Sequence, residues 1–456
     1  NKITDIVSTL NRINLWAVLV TLLLLSAFIP LWILTKKTQS ITGDEPYYLF
    51  HAISFLKQHT PILSHMDYNS VLVNLGKISN DLPSYNMVAA SKPTHSIIYP
   101  AIIAAAVGQV GVFGGRLVSL FVGLSGLAGI FLLLHQISRI KFQAFCFTLL
   151  IAITFPILPY LSLALPEIVL FSGTAWILYL FRNSTTKSSI LIALLLIFLS
   201  FIHWQALGLI LGTPILFLAR QIDEYDYQLS WHNWRNSAIF ILILMIGLSL
   251  FVVFNLSIYG NLFGAINIVR PIFSDLGMAS ALIGARHGLL TYAPIWMMGI
   301  SGLILGCLHN NIWAIRSSVL LGFLITGFIG SDAGECWPAR FWVITIPALA
   351  VGLLLAWQYS SCVGRILFII LILVSLLNTL TYAMYPNMYL ENRQISRVYD
   401  YWHEIMPVFH FGIPLIVAGQ PWQGKALLLL ILIGLAIQSI SKKNPYKRWV
   451  FGILFL

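Results

Sequence analysis

Charged side chains are the scarcest resource of this sequence: they make up 9% of its 456 residues, against about 25% in an ordinary soluble domain. That shortage excludes a water-soluble globule, which would have no polar coat. Acidic residues are rarer still, 15 against 26 Lys and Arg, for a net charge of +11. Cysteine is nearly absent as well. The four that occur (Cys146, Cys307, Cys336 and Cys362) form no CxxC pair and no Cys/His cluster, so neither a disulfide scaffold nor a zinc finger is encoded. No HExxH, no GxxxxGK[ST] and no GxGxxG after a strand is present, which removes the usual parts of a metalloprotease or a nucleotide-driven machine. Basic residues are scattered rather than massed. The positive balance therefore records topology and not a nucleic-acid partner.

What fills the chain is apolar residue after apolar residue, 59% in all. Windows of about 17–20 such residues read as membrane-spanning helices, not barrel strands. They fall near 15–34, 117–136, 143–161, 168–181, 188–202, 205–219, 237–257, 288–308, 317–330, 341–357, 366–384 and 425–440. The first is too long for a signal-peptide core and has no small-residue cleavage site after it, so it reads as a retained span. The expectation is an all-α polytopic membrane protein of about twelve helices, folded as one domain over residues 1–456.

Parity orients it. With a cytoplasmic N-terminus, Arg139, Lys141, Arg182, Lys187, Arg220, Arg235, Arg316, Arg365 and the basic stretch KKNPYKR all fall inside. Eleven of the fifteen acidic residues then fall outside. This parity holds when SIIYPAIIAAAVGQVG (96–111) lies on or dips into the outer leaflet without crossing. The long segments are extracytoplasmic: a first loop over 35–115 with interfacial helices, the segment 258–287, and a late loop over 385–424. The glycine run GLSGLAG (123–129) reads as helix packing.

One outward stretch, ITGDEPYYLF (41–50), sets two of the rare carboxylates side by side where the chain leaves its first span. Pro46 suits the first turn of a helix, and Thr42 or Asp44 can cap it. Leu49, Ile53 and Leu56 then share a face, with His51, Lys57 and Gln58 elsewhere on the surface. A helix of about twelve residues is only ~18 Å long, too short to cross, so it is expected to lie in the interface. Asp44 and Glu45 at its positive end are kept ionised at the depth of lipid headgroups. A carboxylate there can take a proton from an attacking hydroxyl. It can equally serve as a cap or simply face water, and spacing alone leaves both readings open.

A first span followed by an outward loop opening on GDEPYYL resembles the GT-C superfamily of integral-membrane glycosyltransferases. Protein O-mannosyltransferases and the aminoarabinose transferases of lipid A belong to that superfamily. KPTHSIIYP (92–100), GGRLVSLFVGL (114–124), ALPEIVL (164–170), FIHWQALGL (201–209), GARHGLLTYAPIW (284–296) and GECWPARFWVITIPALA (334–350) follow in the order the resemblance requires. The nearest likeness is to bacterial GT-C-like proteins. The resemblance implies a sugar donor on a polyprenyl phosphate and an acceptor that is a lipid, polysaccharide or cell-wall polymer. It also implies inversion at the anomeric carbon, with Asp44 as base and Glu45 as its orienting or acceptor-binding neighbour. The implied location is a bacterial plasma (inner) membrane, with the site facing outward.

A departing lipid phosphate needs cations. Lys92, His95, Arg286, His287 and Arg340 are the outward candidates, each weighed against plain anchoring at a span end. Glu167, in a very short outward loop, and Glu335, beside Trp337, are candidates for binding sugar or acceptor hydroxyls. His203 and Trp204 read as packed or interfacial, Tyr292 and Pro294 as packing and kink residues. YLENRQISRVYDYWHEIMPVFHFG (389–412) reads as a lid or a membrane-resting segment. No metal is expected, although within the resembled superfamily diphosphate donors sometimes bring a divalent cation. Two rivals remain. A transporter or flippase of lipid-linked saccharides predicts mid-span charges and paired broken helices. An O-antigen-type ligase or polymerase predicts a large late loop rich in Arg and His.

Overall fold

The computed structural model describes residues 14–36, 41, 44–59, 96–182, 185–225, 231–262, 282, 288–326 and 339–386. Their regular structure is helical, with no strand among the described residues. In chain order the helices are α1 (Leu15–Lys36), α2 (Glu45–Gln58), α3 (Ile98–Val110), α4 (Val112–Ser138), α5 (Lys141–Ala152), α6 (Ile157–Leu161), α7 (Glu167–Leu180) and α8 (Thr186–Ile202). They continue with α9 (Ala206–Tyr225), α10 (Trp231–Tyr259), α11 (Leu289–Tyr292), α12 (Trp296–Leu308), α13 (Ile312–Thr326), α14 (Ile346–Tyr359) and α15 (Cys362–Met384), and a 3-10 segment (Arg340–Thr345) leads into α14. Among the described residues, five stretches are long and apolar enough to cross a bilayer: Leu15–Lys36, Val112–Ser138, Trp234–Tyr259, Arg340–Tyr359 and Cys362–Met384. The chain is a membrane-embedded helical protein. Helix occupies every expected window except 425–440, which lies outside the described residues, as do the loops 258–287 and 385–424 in large part and the segment 389–412 entirely.

Side-chain neighbours fix the direction in which the helices run. Gly123, Gly126 and Gly129 of α4 face Ile168, Phe171 and Ala175 of α7, so these two helices are parallel. The glycine run packs helices, as its composition suggests. Gly299, Gly302 and Gly306 of α12 face Leu349, Gly352 and Leu355, which makes α12 and α14 parallel. A Cβ placed on Gly302 would stand 1.8 Å from the Gly352 carbonyl oxygen, so only glycine permits this approach. Likewise Thr186 bonds Asn236 and Gly247 meets Ile197, setting α8 parallel to α10. The intervening α9 runs the other way, with Gly208 and Gly212 against Phe323 and Leu320 of α13.

These directions sort the charges. Arg139, Lys141, Arg182, Lys187, Arg235, Arg316 and Arg365 sit at one end of the bundle, where α4, α7 and α12 finish and α5, α8, α10, α13 and α15 begin. Asp44, Glu45 and Glu167 sit at the opposite end, accompanied by Arg116 and Arg340. A bundle with most of its basic residues at one end carries the positive-inside signature in three dimensions.

The chain leaves helical structure three times at the acidic end, and at one of these breaks, between α8 and α9, it reverses direction. Between α5 and α6 the chain turns at 153–156, between α8 and α9 at 203–205, and between α11 and α12 at 293–295. Non-helical backbone at membrane depth must be buried in protein and satisfied there. At two of the breaks the partners come from each other and from α15. Trp296 Nε1 donates to the Phe155 carbonyl at 2.7 Å, the Ile295 N–H donates to Ser375 Oγ at 3.1 Å, and Asn378 Nδ2 donates to the Tyr292 carbonyl at 3.0 Å.

Helix α2 departs from the expected surface helix. Its first eight residues, Glu45 to Ala52, are all buried, His51 included, and the His51 ring lies tilted against that of Tyr47 with centroids 4.2 Å apart. Only the far end resembles an interfacial helix, with Leu56 and Lys57 exposed. The cause is packing against α3, which covers the face that a lone amphipathic helix would show to water; Gly108 of α3 admits the Leu56 side chain.

Candidate active site

Asp44 occupies the N-cap position of α2, and Pro46 lies in the first turn, as its fixed φ favours. The Asp44 side chain does not cap the helix. Its Oδ2 instead accepts a hydrogen bond from Arg340 Nη1, and its side chain keeps 31% of its surface exposed. Arg340 opens the 3-10 segment directly after Ala339, which holds a left-handed φ of 56°. The same guanidinium donates from Nε to Glu167 Oε1. Arg340 thus bridges a partly exposed carboxylate and a fully buried one.

Glu167 begins α7 immediately after Pro166, where the unpaired N–H groups of the helix start favour negative charge. Its Oε2 is buried and has no hydrogen-bond partner. Such an atom loses its hydration without replacement, which is costly unless a donor arrives.

Glu45 turns the other way. It is fully buried and makes a two-pronged contact with Arg116 of α4: Nε donates to Oε1 at 2.8 Å and Nη2 to Oε2 at 2.7 Å. The Ala164 N–H donates to Oε1 as well, at 2.9 Å. Bidentate charge-assisted contacts of this kind fix geometry as well as charge. They pin the start of α2 to α4 and to the loop before α7, and so hold Asp44 in place.

Tyr48, one turn further along α2, is buried beside the cluster. Burial first, and then the Glu167 carboxylate, hold its phenol well above the ordinary tyrosine range. Its ring meets Tyr99 edge-on at 5.4 Å, and Tyr99 in turn bonds Ser119 Oγ at 2.7 Å. Burial pushes the Tyr99 phenol upward too. Both tyrosines are therefore neutral at physiological pH and form an uncharged wall.

Of the residues nominated from the sequence, the structure brings Asp44, Glu167 and Arg340 together and sets Glu45 in an adjoining ion pair. Lys92, His95, Arg286, His287 and Glu335 lie outside the described residues. Among the described residues no group of three or more His, Cys, Asp or Glu side chains is placed to hold a metal ion. Arg116 and Tyr48 were not nominated. The signal for Arg116 was a lone charge in GGRLVSLF, at the head of an otherwise apolar helix; Tyr48 carried none beyond its place next to the carboxylate pair.

Fold and site together define a membrane-embedded helical protein with a buried ion-pair network gathered at its acidic end. No protein-family model matches the chain, and no curated protein matches it either.

Proposed function

We propose that this protein is a membrane glycosyltransferase of the GT-C type. It moves a sugar from a polyprenyl-phosphate carrier to an acceptor hydroxyl at the outer face of a bacterial plasma membrane. The observation that carries this reading is the Asp44–Arg340–Glu167 bridge: a partly exposed carboxylate and a guanidinium in contact, at the acidic end of the bundle. The concentration of basic residues at the far end supports a cytoplasmic position for that end, and hence an outward site.

In the reaction Asp44 accepts the proton of the acceptor hydroxyl as its oxygen bonds to the anomeric carbon. The bond from that carbon to the phosphate oxygen breaks, its electron pair stays on the phosphate, and the configuration inverts. Arg340 supplies positive charge to the departing phosphate. Glu45, bound to Arg116, positions the start of α2 and takes no part in proton transfer. The acceptor is a lipid, polysaccharide or cell-wall polymer, and membrane lipids surround both substrates.

The breaks at 153–156 and 293–295 favour a second reading, a flippase for lipid-linked saccharides, because discontinuous helices line the pathways of transporters. They gather at one end of the bundle, where chemistry at the membrane surface needs them. One experiment separates the two: purified protein in vesicles is given labelled polyprenyl-phosphate sugar and a membrane extract of acceptors. Covalent transfer that disappears in Asp44→Asn supports the transferase. Transfer undiminished in that variant refutes the base, and movement of label across the bilayer without transfer identifies the flippase.

A further inference from the structure

Gln205 is a buried side-chain amide, 3% exposed, and neither its Oε1 nor its Nε2 has a hydrogen-bond partner. Other orphaned polar atoms have simpler explanations. The hydroxyls of Thr213, Ser237 and Ser317 sit within helices, where rotation brings them to a carbonyl one turn back. Gln136 and Gln143 are only half-buried, and in each only Oε1 is both enclosed and without a hydrogen bond. A buried amide whose donor and acceptor are both unused by the protein can bond the polar groups of a ligand.

Its position agrees. Gln205 ends the break between α8 and α9, directly before the first residue of α9. The break is built rather than loose: His203 is extended, its carbonyl accepts from the Ala206 N–H at 3.1 Å, and its Nδ1 accepts from the Gln205 N–H at 3.3 Å. Ser96 Oγ ties the end of α8 by donating to the Phe201 carbonyl. Helices α7 and α8 are antiparallel neighbours, with Gly173 against Leu199. Six residues toward the start of α7 is about 9 Å of rise and reaches Glu167. From Leu199 the chain climbs one turn and folds over at 203–205, bringing Gln205 to the same end of the bundle. Glu167 Oε2, at that end, is likewise buried and has no hydrogen-bond partner.

We infer that Gln205 and Glu167 Oε2 together form a subsite for the hydroxyl groups of the donor's sugar ring. Neighbouring hydroxyls both donate and accept. A carboxylate oxygen and an amide offer the matching set, and a bare phosphate or an apolar chain does not. Glu167 is bonded to Arg340, and the anomeric carbon lies one oxygen away from the phosphate that Arg340 attracts. The ring must therefore rest beside Glu167. This subsite rests on the sugar-transfer reading and names the residues that recognise the sugar.

The test measures binding, not turnover. The full chain in lipid nanodiscs is titrated with undecaprenyl phosphate, and then with undecaprenyl-phosphate-linked glucose, galactose, mannose and 4-aminoarabinose, with bound lipid read by native mass spectrometry. The wild type is expected to prefer at least one glycosylated lipid over the bare phosphate. Gln205→Met, close in shape and without polar hydrogen-bonding atoms, is expected to weaken that lipid ten-fold or more, to bind the bare phosphate as before, and to melt no lower than the wild type. Gln205→Leu provides a second shape should the first be poorly made. Equal binding of the glycosylated lipid by wild type and variants overturns the subsite and leaves the transferase reading standing. A lowered melting temperature with both lipids weakened equally overturns it in favour of a structural amide. No preference for any glycosylated lipid in the wild type overturns the subsite and the transferase reading together.

Discussion

Asp44 and Arg340 lie 296 positions apart in the chain, and their side chains are in direct contact. Few arrangements bring a carboxylate at the start of α2 against a guanidinium that opens the 3-10 segment before α14. Here it takes the parallel packing of α12 with α14 and of α4 with α7 to deliver both to one end. The contact gives the proposed base a cationic neighbour and gives the proposed phosphate ligand a fixed orientation.

Asp44→Asn should reduce transfer by about 10²–10⁴-fold, the usual share of a positioned general base. Asparagine is a good N-cap residue, and the Asp44 side chain is 31% exposed. The melting temperature should therefore stay close to that of the wild type. Initial rates and a thermal melt on the same preparation check both halves.

Arg340→Lys is expected to behave as a severe change. A lysine ammonium is a point charge and lacks the planar fork that reaches Asp44 and Glu167 at once. Transfer should fall ten-fold or more with the charge retained. Arg340→Ala should also destabilise by about 3–5 kcal/mol, because it leaves the buried Glu167 carboxylate uncompensated. Denaturation in mixed detergent measures the difference between the two variants.

Glu45 and Arg116 should couple strongly. Removing either one alone strands a buried charge and is expected to cost about 3–5 kcal/mol, whereas replacing both with apolar residues of similar volume should cost far less than the sum. A double-mutant cycle with Glu45→Met and Arg116→Met measures the coupling. Additive losses would show that the pair does not hold α2 in place.

Glycine substitutions should divide by position. Gly302→Ala forces a methyl group onto the Gly352 carbonyl and should lower the melting temperature by several degrees. Gly322 has nothing within 4 Å of where its Cβ would stand. Gly322→Ala should hold or raise stability, since alanine is better than glycine in a helix by about 1 kcal/mol.

Stability should fall as pH rises above 10. Tyr48 and Tyr99 hold their protons more tightly when folded than when unfolded. Above the unfolded value the unfolded chain binds fewer protons than the native one, and by linkage ΔG of unfolding then decreases with pH. Tyr48→Phe and Tyr99→Phe should each flatten that decline. Chemical denaturation at pH 8, 10 and 11 reports the slope.

Hydropathy made the helices legible, because a membrane leaves the apolar window as the main signal. It is blind to backbone, so the windows 143–161 and 288–308 hid breaks at 153–156 and 293–295. The acidic bias of the outward loops marked Asp44 and Glu167. What adjacency concealed was direction. Residues at a helix start point about 100° apart, so Glu45 enters the bundle toward Arg116 while Asp44 meets Arg340. Gln205 stood within FIHWQALGL and showed nothing by type alone; only its unmet hydrogen bonds set it apart.

The clasp between Glu45 and Arg116 spans 71 positions. It makes two helices distant in the sequence shift as one body, so a change at either residue is felt at Asp44, next in the chain to Glu45.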